Sequence, residues 1–214
     1  MKYQSFFWDF DGTIFDTYPI MVQAFMTALT RQQVSELELD EQEIYEVMRQ
    51  HSFGTAKQQF SAEFSIDAER LEHDYRQIES QHIEQAQPFA GMLDLLQQLN
   101  DVGGTHYLLT HRNRSANQLL ETADIKRLFA DEVTSEQPFP RKPNPASLNA
   151  LIERNGVKRP EAIMIGDRTL DIDAGHNAGI AGALFDPGRL IDFRSSQPEI
   201  NVTNVGELKA ALLQ

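Results

Sequence analysis

Short apolar runs that stop abruptly on polar residues constrain this chain most. "THYLLT" (105–110), "EAIMIGD" (161–167) and "AGALF" (181–185) each read as a buried strand, and helical periodicity fills the stretches around them. Met92, Leu95, Leu96 and Leu99 form one helix face ahead of Gly103 and Gly104. Further helices are expected over 113–122, from near Pro143 with Asn144 as its N-cap, Pro145 in its first turn and Gly156 just past its end, and after "EAIMIGD" to near Gly179. A last helix has a cap-like start in Asn204 and Glu207, with Val205, Leu208 and Leu212 facing inward. Strand–helix alternation of this kind requires a parallel sheet with right-handed crossovers, the α/β class. Residues 3–8, aromatic and halted by Asp9 and Gly12, supply one more strand of the same sheet.

After that first strand the texture changes. Residues 19–84 hold one glycine, Gly54, and no proline after Pro19. Apolar residues recur at helical spacing: Val22, Phe25, Met26 and Leu29; Ile44, Val47 and Met48; Leu71, Tyr75 and Ile78. Four helices are expected, divided near 35–40, 51–55 and 65–67. The whole is expected to be a Rossmann-like parallel-sheet core, 1–16 with 88–214, carrying an inserted α-helical cap, 17–87. The acidic run of Glu36, Glu38, Asp40, Glu41 and Glu43 reads as a solvated linker and helix start. Hinges are expected at Asp16, Thr17 and over 87–91.

The stretch "FFWDFDGTIFD" (6–16) raises the functional question, because ionised carboxylates are costly to bury without partners. Ligands of parallel α/β sheets bind outside the carboxyl ends of the strands. The residues expected there are Asp9, Asp11, Gly12 and Thr13 after the first strand, Thr110, His111 and Arg112 after the second, and Asp167 with Asp171 after "IMIGD". Lys142 in "RKPNP" can reach the same rim. Carboxylates gathered so closely repel unless a cation intervenes. Oxygen donors without a His or Cys pattern point to Mg²⁺, often shared with phosphate. Lys142, the Thr110 hydroxyl and backbone N–H groups of the turn at Gly12 could supply donors to that phosphate. An EF-hand loop starting at Asp9 would need glycine at its sixth position and glutamate at its twelfth; Ile14 and Ile20 stand there.

The chain has 214 residues, 41% of them apolar, enough for a real core. It has no cysteine, which excludes disulfides, thiolate metal sites and cysteine nucleophiles. A net charge of −13 argues against nucleic acid as a partner. The N-terminal apolar run breaks at Asp9, too early for a signal peptide, and no stretch approaches the roughly 20 apolar residues of a membrane span. A cytoplasmic enzyme or binding protein with no membrane partner is expected.

"DFDGT", "LLTHR", "KPNP" and "GDRTLD" resemble, in order and spacing, the four motifs of haloacid dehalogenase-like hydrolases. The insertion after the first motif is similar to the helical cap of the branch that includes phosphoglycolate phosphatases and β-phosphoglucomutases. The resemblance implies a Mg²⁺-dependent phosphatase acting on a small phosphorylated metabolite through an aspartyl-phosphate. It makes Asp9 the nucleophile and Asp11 the acid/base. It places Mg²⁺ on Asp9, the backbone carbonyl of Asp11, and Asp167, with Asp171 orienting a metal-bound water or Lys142. Thr110 and Lys142 would hold the phosphoryl oxygens. A β-phosphoglucomutase-like phosphotransferase shares these residues, and a non-catalytic Mg²⁺/phosphate-binding module is the reading from another class. His111 departs from the asparagine or small residue common in relatives, so His111 and Arg112 are either substrate contacts or solvent-facing rim residues. In the cap, Arg49, His51 and Lys57 flank "SFGT", taken as a loop that could dip into the site.

Overall fold

The computed structural model describes all residues, Met1–Gln214. Two units divide it: Met1–Asp16 with Pro88–Gln214, and Thr17–Gln87. The first unit is built on six strands: β1 (Ser5–Trp8), β2 (Thr105–Leu109), β3 (Phe129–Val133), β4 (Ala162–Gly166), β5 (Ala181–Phe185) and β6 (Ile200–Val202). They lie in the order β3-β2-β1-β4-β5-β6, and every pair is parallel. β1 is therefore central, and Phe6, Phe7 and Trp8 are all fully buried. A strand covered on both faces reads as a continuous apolar run rather than an alternating one.

Helices α5 (Met92–Asp101), α6 (Ser115–Thr122), α7 (Ala146–Arg154), α8 (Thr169–Asn177) and α9 (Val205–Leu212) belong to this unit; the four helices earlier in the chain belong to the other. On one face, Leu148, Leu151 and Ile152 of α7 pack with Phe7, Tyr107 and Met164. The helix after "KPNP" starts later than its N-terminal signals imply. Pro145 rather than Asn144 precedes its first turn, and the Asn144 side chain accepts from the Ala146 N–H. The cap expected at α9 forms as read: Asn204 accepts from the Glu207 N–H, and Glu207 accepts from the Thr203 N–H.

The register fixes where the functional residues emerge. Trp8 lies beside Leu108 and Ile165, so β1, β2 and β4 end at nearly the same level. The next residues, Asp9, Thr110 and Asp167, leave the sheet along one edge. The order also reverses at β1: β2 and β3 lie on one side of it and β4 to β6 on the other. That switch point between β1 and β4 opens a crevice where the strands end. Asp9 and Asp167 flank it.

The second unit holds α1 (Tyr18–Arg31), α2 (Glu41–Gln50), α3 (Phe53–Glu63) and α4 (Ala68–His82). Val22, Phe25, Leu29, Ile44, Met48, Phe60, Leu71, Tyr75 and Ile78 form its core. Burying each such side chain stabilises by roughly 1.5–3 kcal/mol. Asp40, Ser52 and Asp67 accept from first-turn N–H groups of α2, α3 and α4, and Ser35 caps the short 3₁₀ turn Glu36–Glu38. The acidic run is thus partly capping chemistry. "SFGT" is not a loop: Ser52 is the cap and Phe53 the first residue of α3. Lys57 donates to Glu69 and Glu72 on α4, so its charge is held within this unit. Arg49 is buried, with its guanidinium carbon 5.2 Å from the Tyr18 ring centroid, and His51 ends α2.

Candidate active site

After β1 the chain turns sharply. The Phe10 carbonyl accepts from the N–H groups of Thr13, Ile14 and Phe15, and Gly12 sits at φ 71°. Glycine takes that left-handed conformation without steric penalty. The Gly12 N–H, expected to face a phosphate, donates instead to the Phe15 carbonyl at 2.8 Å. Its contribution is the turn itself rather than a bond to a ligand.

Lys142 ties the other motifs to Asp9. Its Nζ lies 2.6 Å from Asp9 Oδ1, 2.5 Å from Asp171 Oδ1 and 3.1 Å from the Leu109 carbonyl. The contacts to Asp9 and the Leu109 carbonyl are hydrogen bonds, and that to Asp171 is an ion pair. All three side chains, Asp9, Asp171 and Lys142, are buried. Burial alone would lower the Lys142 pKa, but the carboxylates of Asp171 and Asp9 together outweigh it and hold the ammonium charged. Asp9 is pulled upward, first by burial and then by the charges of Asp171, Asp167 and Asp11, against the opposing pull of Lys142. A second cation near Asp9 would relieve that strain.

One oxygen from each of Asp9, Asp167 and Asp171 lies within 4.8 Å of the others. This buried, all-carboxylate donor set fits a hard divalent cation and no soft one. Asp171 uses one oxygen on Lys142 and receives the Arg168 N–H at 3.2 Å on the other. It sits so close to β4 that a Cβ on Gly166 would come within 2.3 Å of its side chain. The glycine before Asp167 is therefore a condition of the site.

The β2 loop adds three residues with three partners. Thr110 Oγ1 accepts from the Arg112 N–H at 3.0 Å, which leaves the hydroxyl hydrogen to donate. His111 Nε2 accepts from the Lys142 backbone N–H at 3.0 Å. Burial first, then the charges of Lys142, Arg141 and Arg168, push His111 down to about 3, so the ring is neutral with its proton on Nδ1. Arg112 Nε donates to both oxygens of Asp11, at 2.8 and 3.1 Å. The expected site residues Asp9, Thr110, Lys142, Asp167 and Asp171 thus come together, whereas the Asp11 side chain turns to Arg112. Neither His111 nor Arg112 faces solvent idly. Sequence reasoning left these two partnerships open, and only the opposite charges of Asp11 and Arg112 hinted at one of them.

A family model described as haloacid dehalogenase-like hydrolase matches residues 6–185. The chain belongs to the haloacid dehalogenase-like hydrolases. Among curated relatives, the phosphoglycolate phosphatase of Aliivibrio fischeri is 24% identical over 185 residues, 80% of this chain and 78% of that one. The pyrophosphatase PpaX of Bacillus cereus is 24% identical over 181 residues, 84% and 81%. Among solved structures, a hydrolase from Streptococcus pneumoniae is 30% identical with a TM-score of 0.70, covering all of both chains. This haloacid dehalogenase-like chain is an enzyme of the hydrolase type with an α/β Rossmann-like core. None of its helices is long and apolar enough to cross a membrane.

Proposed function

We propose that the protein is a Mg²⁺-dependent phosphatase that hydrolyses a small phosphorylated metabolite, with phosphoglycolate the first candidate. The observation that carries this reading is the Asp9 carboxylate, buried at the mouth of the crevice between Lys142 and Asp167. Asp9, the backbone carbonyl of Asp11 and Asp167 would hold the ion. When bound, it would offset charge on the carboxylates and the phosphoryl oxygens.

The chain's own groups do the rest. An Asp9 oxygen attacks phosphorus while the ester P–O bond breaks, and Asp11 gives its proton to the departing oxygen. The Thr110 hydroxyl and Lys142 donate to the phosphoryl oxygens and hold them in line. Asp11, now a carboxylate, takes a proton from water as the water oxygen attacks phosphorus. The bond to Asp9 then breaks and inorganic phosphate leaves. Phosphoglycolate and pyrophosphate, for which relatives are named, are both small and anionic, which supports a compact acid as the substrate.

The test is inorganic phosphate release from a panel containing phosphoglycolate, pyrophosphate and glucose 1-phosphate, with Mg²⁺ and with EDTA. Release should require Mg²⁺, stop with EDTA and return when Mg²⁺ is restored in excess. Conversion of glucose 1-phosphate to glucose 6-phosphate without phosphate release would replace hydrolysis by phosphotransfer.

A further inference from the structure

We propose that Arg112 is a positioning residue that sets the carboxyl group of Asp11 for proton transfer to the leaving group, one oxygen accepting from Nε while the other carries the proton. The inference rests on the acid/base reading of Asp11 given above. Asp11 stands two residues beyond Asp9, past the end of β1, and its carboxylate is outside the Asp9–Asp167–Asp171 cluster. Nothing in a turn fixes an aspartate rotamer by itself, yet a proton must reach one particular oxygen.

Arg112 supplies the fixation. Its Nε meets both Asp11 oxygens side-on, at 2.8 and 3.1 Å. The arginine is the anchored member of the pair, its side chain 8% exposed against 23% for Asp11. Its backbone N–H donates to Thr110 Oγ1 and its carbonyl accepts from the Ser135 N–H, both at 3.0 Å. The same residue therefore fixes the Thr110 hydroxyl and the Asp11 carboxylate. A lysine would carry a methylene where the donating Nε stands, so its ammonium cannot reproduce this contact.

A proton donor matters in proportion to how badly the leaving group needs the proton. p-Nitrophenolate departs without one, whereas an alkoxide does not. Values of kcat/KM cover the steps up to leaving-group departure and so isolate this need from the later hydrolysis. The experiment compares p-nitrophenyl phosphate with the best alkyl phosphate of the panel. It uses the full-length Mg²⁺-loaded protein and its Asp11→Asn, Arg112→Gln, Arg112→Lys and Asp11→Asn/Arg112→Gln variants, with thermal melts to show that each is folded.

Arg112→Gln should lower kcat/KM for the alkyl phosphate at least about tenfold more than for p-nitrophenyl phosphate, a part of the full acid-catalytic effect. Arg112→Lys should restore little of it. Once Asp11 is asparagine, Arg112→Gln should add almost nothing, because the arginine acts through that carboxylate. Equal losses on both substrates, or a rise in KM alone, would mark Arg112 as a binding or structural residue and overturn the proposal. Losses that multiply in the double variant would do the same. If Asp11→Asn shows no leaving-group dependence, the acid role of Asp11 itself fails, and this inference goes with it.

Discussion

At the scale of residues, the site is a set of charges each held by a second charge. Burial and the neighbouring carboxylates raise Asp9, Lys142 pulls against them, and Lys142 is in turn kept charged by Asp171 and Asp9. His111 braces this arrangement from the backbone side, since its ring nitrogen receives the Lys142 N–H. His111→Gln keeps an acceptor at the same reach and should stay within a few-fold of wild type. His111→Ala and the shorter His111→Asn should lose roughly tenfold to a hundredfold in kcat, the effect of a displaced catalytic group. Steady-state assays on p-nitrophenyl phosphate check this. Asp9 and Asp167 were legible because each follows the end of an apolar strand, and Lys142 because it opens "KPNP" ahead of a helix. The Asp11–Arg112 pair was not, because it joins positions 101 residues apart and depends on where a turn aims a side chain.

At the scale of elements, two contacts carry the site's precision. The first is α8 against β4, where Gly166 leaves room for Asp171. Gly166→Ala should destabilise by about 1–3 kcal/mol through overpacking. It should also cut activity beyond that loss by moving Asp171 off Lys142. Urea unfolding and kinetics on one preparation separate the two effects. The second contact joins β1, β2 and α5. Trp8 Nε1 donates to His106 Nδ1 at 2.9 Å, so Nε2 carries the proton and donates to the Leu96 carbonyl at 2.9 Å. Phe6, Trp8 and Phe129 surround that ring, and burial pushes His106 from 6.5 down to about 4. The neutral imidazole contributes stability that is complete above pH 6.5 and is lost as pH falls through about 4, on the order of 3 kcal/mol in all. Urea midpoints at pH 7 and pH 4.5 should therefore fall further for wild type than for His106→Gln.

The same scale shows which elements a sequence conceals. The four inner strands, largely apolar, announced themselves. β3, "FADEV", and β6, "INV", lie at the sheet edges, where an edge strand needs only one covered side. In β3, Asp131 faces outward to pair with Arg154, which breaks the apolar run that marks a buried strand.

At the scale of the molecule, the strand order matters more than any one strand. An insertion after β1 separates Asp9 from Thr110, Lys142 and Asp167 in sequence, and the parallel register returns them to one edge. The order was not legible, since alternation gives the class of sheet without its sequence of neighbours. A chain of net charge −13 that gathers carboxylates at one point should be stabilised by a cation that binds the folded form. Its melting temperature should rise with Mg²⁺, and Asp167→Asn should flatten that rise. The central claim is that Asp9 bonds to phosphorus. Rapid acid quench during turnover, followed by mass spectrometry of the peptides, tests it directly. A phosphoryl group should be found on Asp9 and be absent, with turnover, from Asp9→Asn. A fully active Asp9→Asn protein, or a phosphoryl group trapped on any other residue, would contradict it.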